Sequence, residues 1–102
     1  MKKDSILAAF FSAIEKDHRL GISHIGLYVT LIWLWEKQGF KGPVNAFGKD
    51  LMQLSRIAST ATYQKLLREL VQYGYIRYLP SYYKGKASKI FLFLKPSEEQ
   101  TD

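Results

Sequence analysis

Between Ser59 and Arg68 the chain places Ser59, Thr60, Thr62, Gln64, Lys65 and Arg68 within ten residues. Small hydroxyls beside free backbone amides suit a phosphate, and Gln, Lys and Arg are side chains that hydrogen-bond base edges in a major groove. A second group follows, with Tyr82, Tyr83, Lys84, Lys86 and Lys89 inside eight residues. Ammonium groups and phenol hydroxyls at that density suit a sugar-phosphate backbone. Each group alone has an ordinary explanation: a solvated helix face for the first, lysines guarding an edge strand for the second. Together they point to nucleic acid.

The surrounding charge is unevenly divided. The 102 residues carry 15 Lys and Arg against 9 Asp and Glu, a formal net charge of +6. From Arg56 to Lys95 the basic residues are Arg56, Lys65, Arg68, Arg77, Lys84, Lys86, Lys89 and Lys95, and the only acid is Glu69, a net +7. The remaining 62 residues sum to −1. A phosphate-facing surface calls for such segregation, whereas general solubility does not.

Other chemistries lack their residues. The chain has no cysteine, which excludes disulfides, thiolate catalysis, zinc fingers and iron–sulfur clusters. His18 and His24 flank a loop six residues apart rather than sharing a helical face, so they read as surface or helix-end histidines, not metal ligands. Ser59 and Ser88 have no histidine nearby in sequence and no nucleophile elbow, and no Gly-rich phosphate loop occurs. Catalytic residues, cofactors and metals are therefore not expected.

These side chains need elements to hold them. A first helix is expected from about Asp4 to Lys16, capped by Asp4 or Ser5, with Ile6, Leu7, Phe10, Phe11 and Ile14 as its apolar stripe and Gly21 beyond its end. A second, starting after Ser23 as N-cap and running to about Gln38, is apolar nearly all round. Such a helix is either central to the core or a subunit contact. After the breaker run Gly39–Pro43, Asn45 is expected to cap a short third helix containing Phe47, Leu51, Met52 and Leu54. A tight connection at Arg56–Ala58 leads to a fourth helix from Ala61 to about Tyr73, capped by Ser59 or Thr60 and ended by Gly74. Its inward face is Tyr63, Leu66 or Leu67, Leu70 and Tyr73. Ala61, Gln64, Lys65, Arg68 and Gln72 point the other way. The period then changes to two. Tyr75–Leu79 reads as a strand stopped by Pro80, Ser81–Ser88 as a basic turn centred on Gly85, and Lys89–Leu94 as a second strand.

Length and hydrophobic content (47%) fit one domain over residues 1–95, followed by a polar tail, 96–102. Within the domain, 5–38 form a helical pair, 45–74 a helix-turn-helix and 75–95 a hairpin wing. The acidic and basic residues after the first apolar stretch leave no signal-peptide cleavage site. The second apolar stretch, Ile25 to Trp35, spans only about 16 Å as a helix against about 30 Å of hydrocarbon. A soluble, cytoplasmic protein without a membrane partner is expected.

The order helix, tight turn, helix, strand, basic turn, strand is that of a winged helix-turn-helix. The expected class is α+β, mainly α, with about four helices and a C-terminal two-stranded hairpin wing. The run SRIASTATYQKLLRELVQYGYIRYLPS, with its Leu-x-x-Leu-x-x-x-Gly-Tyr-Ile ending, resembles winged-helix DNA-binding domains. More narrowly, the STATY and LVQYGYI segments and HIGLYVTLIWLW upstream resemble small bacterial accessory proteins of mobilizable transposons. The resemblance implies binding of double-stranded DNA, with a role in transcription, excision or transposition. It would put Ser59, Thr60, Thr62, Gln64, Lys65 and Arg68 at the DNA. This chain departs from it before Ala58, where many winged-helix turns carry a glycine. A homodimer reading two half-sites is expected, with Phe10, Phe11, Trp33 and Trp35 forming either a dimer or partner surface or ordinary core packing. The alternative is an interaction module that recruits a recombinase or replication protein.

Overall fold

Three helix ends in this chain are closed by one device. The N–H of Phe40 bonds to the Trp35 carbonyl, that of Ile57 to Met52 and that of Tyr75 to Leu70, each at 2.9 Å. In every case the preceding residue is left-handed: Gly39 at φ 70°, Arg56 at φ 63°, Gly74 at φ 90°. The bond satisfies a carbonyl that a helix end would otherwise orphan, and it brings an apolar residue back toward the core. Two of the ends use glycine. The third forces an arginine into the same conformation.

In the computed structural model, residues 2–81 and 85–93 are described, with side chains from Ser5 onward. The elements are α1 (Lys2–Ile14), α2 (Ile22–Lys37), β1 (Val44–Ala46), α3 (Gly48–Ser55), α4 (Thr60–Gln72), β2 (Ile76–Leu79) and β3 (Ser88–Leu92). The fold is α+β and mainly helical, with four helices and a three-stranded antiparallel sheet in the order β1-β3-β2.

The sheet has one strand more than expected. Val44–Ala46 pairs with β3 in the register Val44↔Ile90, Asn45↔Lys89 and Ala46↔Ser88. Asn45 is therefore a strand residue and does not cap α3, whose N-cap is Phe47. Three residues are too few to show an alternating pattern, and only the partner strand reveals that Val44 and Ala46 turn inward. Ser23 lies within α2, which Gly21 caps instead. The Gly21 N–H donates to His24 Nδ1 at 2.9 Å, so the third helical residue reaches back to close an end that a Ser side chain was expected to close. Asp4 and Ser5 likewise lie inside α1 rather than at its cap, and α1 stops at Ile14, two residues early. The fourth helix agrees with expectation: Ser59 Oγ accepts the Thr62 N–H at 3.2 Å.

The core is built around three rings. Phe10 stacks on Tyr28 with centroids 4.1 Å apart, and Tyr75 meets both edge-on at 5.9 and 6.1 Å. Leu27, Leu31, Leu51, Leu67, Leu70, Ile76 and Ile90 close around them, all essentially without solvent contact. Each of these buried tyrosines has a hydrogen-bond acceptor. Tyr28 donates to the Phe93 carbonyl and Tyr75 to Asp17 Oδ2, both at 2.9 Å. Burial pushes the Tyr28 hydroxyl well above the ordinary phenol range. No described helix is long and apolar enough to cross a membrane.

Candidate nucleic-acid interface

The amphipathic pattern of α4 decides what it offers outward. Tyr63, Leu66, Leu67 and Leu70 are buried, so the helix is fixed along that side against α2 and β2. Thr60, Ala61, Thr62, Gln64, Lys65, Arg68 and Gln72 are all exposed. Ser59 is exposed too, its oxygen engaged at the cap while its hydroxyl proton stays available to an acceptor. Tyr63 anchors the first turn: its ring packs against Gly48, where an added Cβ would come within 3.4 Å of it. Burial raises its hydroxyl to about 12, so it stays protonated at any physiological pH.

Glu69 is the acid that stands out in the basic segment, and it is withdrawn from this face. Its Oε1 lies 2.7 Å from His24 Nε2. Because His24 Nδ1 already accepts from the Gly21 backbone, the ring carries its proton on Nε2 and donates it to Glu69. His24 is thus a buried link between the start of α2 and the last turns of α4 rather than a surface histidine, being only 8% exposed. The sequence signal for it was the isolated Glu69, whose partner lies 45 residues away and shares no local spacing. His18 is exposed, as expected. Among the described residues, no group of three or more His, Cys, Asp or Glu side chains is placed to hold a metal ion.

Of the hairpin candidates, Lys86 and Lys89 are exposed, and Tyr82, Tyr83 and Lys84 lie outside the described residues. The Lys89 ammonium donates to Asn45 Oδ1 at 3.2 Å, tying β3 to β1 across the outer sheet face. Asn45, Leu79, Pro80, Ser81, Lys86, Ala87 and Lys89 line an open groove of about 640 Å³ there. The strand register puts Arg77, Leu79, Lys89, Phe91 and Asn45 on that same face, with the Arg77 guanidinium 5.8 Å from the Phe91 ring centre. Arg77 and Phe91 face each other within the β2–β3 pair itself, whereas Asn45 reaches that face only through β1, the strand that local spacing does not show.

The aromatic residues expected at a partner surface separate. Phe10 belongs to the core at 2% exposure. Trp35 is half-buried, its indole N–H donating to the Gly42 carbonyl at 2.8 Å and its ring edge-on to Phe40. Phe11 and Trp33 remain exposed, at 45% and 50%. No family model, curated protein or solved structure matches the chain.

Proposed function

We propose that this chain is a winged helix-turn-helix protein that binds double-stranded DNA, with α4 in the major groove and the β2–β3 hairpin on the backbone. In that reading it is an accessory factor of transcription or of a mobile element. One observation carries it. The long side of α4 that escapes the core presents hydroxyls, Gln64, Lys65, Arg68 and Gln72 beside the exposed Ala61 and Val71, while Glu69 is turned aside to His24. A helix about 10–12 Å in diameter matches a groove about 12 Å wide, and its polar side chains are those that pair with base edges and phosphates. The lysines at the hairpin supply sequence-independent attraction.

The test is a salt titration of binding to labelled duplexes drawn from a random pool, for wild type, Lys65→Glu/Arg68→Glu and Lys86→Ala/Lys89→Ala. The helix variant should lose enrichment of any motif. The hairpin variant should weaken all duplexes alike and lower the salt slope by about 0.9 for each phosphate it no longer neutralises. A charge-reversed α4 that bound DNA as tightly as wild type would remove this reading and leave the protein-recruitment alternative.

A further inference from the structure

We propose that the outer face of the sheet is a second nucleic-acid site, one that takes an extended single strand, DNA or RNA, rather than a duplex. Strand register sets its layout. Asn45, Lys89 and Leu79 form one cross-strand row, and Phe91 and Arg77 form the next. The alternate residues of the same strands, Val44, Ala46, Ile76 and Ile90, are buried in the core, so the outer rows stand on a fixed support.

Charge gives the sign of the ligand. None of the three strands carries an Asp or Glu, and neither does the chain from Leu70 to Ser97. Arg77 and Lys89 are exposed on this face, and Lys86 is exposed at the rim of its groove. The bond from the Lys89 ammonium to Asn45 Oδ1, at 3.2 Å, holds that cation over the sheet. Arg77 and Lys89 belong to successive rows, which a pleated strand spaces by about 7 Å. That spacing is comparable with the phosphate repeat of an extended strand.

Shape and apolar surface decide for a single strand. The groove of about 640 Å³ is the size of a site for one small planar ligand, about 300–1,000 Å³, and does not admit a duplex. Leu79, 39% exposed, forms its wall with Pro80 and Ala87. Beside it the half-buried Phe91 ring and the Arg77 guanidinium lie 5.8 Å apart. A duplex keeps its bases stacked inside and offers a sheet face only sugars and phosphates. A single strand splays its bases, which stack on aromatic rings and guanidinium planes while cations follow the backbone. An acidic peptide would answer the charge alone. The site shares Lys86 and Lys89 with the hairpin assigned to duplex backbone, whereas Arg77, Leu79 and Phe91 belong to it alone.

Fluorescence anisotropy of labelled oligothymidylate and oligouridylate, titrated with the full chain across a range of salt, tests this. Wild type should bind, and comparing the two oligomers assigns the strand as DNA or RNA. Arg77→Gln, at an exposed position, should lower the salt slope by about 0.7. Phe91→Leu should weaken binding about fivefold or more at every salt concentration and leave the slope unchanged, which charge alone would not produce. Leu79→Glu puts a carboxylate opposite Lys89 and should abolish binding, while urea unfolding shows each variant folded. Lys65→Ala/Arg68→Ala should leave single-strand binding unchanged and weaken only duplex binding, so this site and the α4 reading fail separately. Four results would each overturn the proposal: no single-strand binding by wild type at low salt, folded Phe91→Leu or Leu79→Glu binding as wild type does, the α4 variant losing as much as Arg77→Gln, or polyglutamate displacing the oligomer as readily as unlabelled strand.

Discussion

Asp17 ties the α1–α2 connection to the strand end, and its removal has a calculable pH signature. Its Oδ1 accepts from the Arg19 backbone N–H at 3.1 Å and from Arg19 Nε at 2.7 Å; its Oδ2 accepts from Arg19 Nη2 at 2.7 Å and from the Tyr75 hydroxyl at 2.9 Å. The Arg19 guanidinium in turn lies 4.2 Å from the Tyr73 ring centre. Hydrogen bonds from Arg19, foremost, hold the Asp17 carboxyl down to about 2 from an ordinary 3.8. At about 1.36 kcal/mol per pH unit the gap bounds the contribution at about 2.5 kcal/mol. The Arg19 side chain is 52% exposed, and solvent screening brings the expected value nearer to about 1 kcal/mol. The folded carboxyl stays ionised to lower pH than the unfolded one. Its stabilisation is therefore complete above the ordinary carboxylate range and is lost as pH falls from 3.8 through about 2. Asp17→Asn removes the titration and should cost about 1 kcal/mol at pH 7 in urea unfolding. The deficit relative to wild type should be half gone near about pH 3, midway between the two values, while the other carboxylates titrate equally in both proteins. A deficit of the same size at pH 7 and pH 3, or none at pH 7, would refute the assignment.

Variants at two further positions probe the supports of α4. Arg56→Gly relieves a left-handed residue at φ 63° and should stabilise the protein by about 0.5–1 kcal/mol in denaturant unfolding; an unchanged or lower midpoint would mean that the arginine side chain compensates. Glu69→Ala leaves the buried His24 Nε2–H without its acceptor and should cost about 1–3 kcal/mol, with Glu69→Gln costing less because it restores an acceptor. A loss no greater than that of exposed Gln64→Ala would show the link to be inert.

What can be read from residue order is what depends on local periodicity. The face of α4 follows from a 3.6-residue repeat: Tyr63, Leu66, Leu67 and Leu70 turn inward and Gln64, Lys65 and Arg68 outward, as their spacing requires. Ser59 as its cap and Gly74 at its end are chemical necessities of a helix terminus, legible for the same reason. Strand β1 is not legible, because three residues carry no period and Val44–Ala46 becomes a strand only through Ser88–Ile90. The start of α2 escapes local reading because Ser23 is a good cap by type, yet His24, three residues after Gly21, supplies the bond that decides the boundary.

By itself, then, the amino-acid sequence determined the number and polarity of the helices, the concentration of +7 between Arg56 and Lys95, and the absence of thiol chemistry. Only the tertiary structure decided which of these groups are engaged and which face outward. It sent Phe10 into the ring cluster with Tyr28 and Tyr75, withdrew Glu69 to His24, brought Asn45 to Lys89, and left Phe11, Ile22 and Trp33 exposed. The physical reason is range. Helical faces and caps are settled within about four residues, whereas burial and hydrogen-bond partners are assigned by contacts 45 residues apart for His24 and Glu69 and 58 for Asp17 and Tyr75.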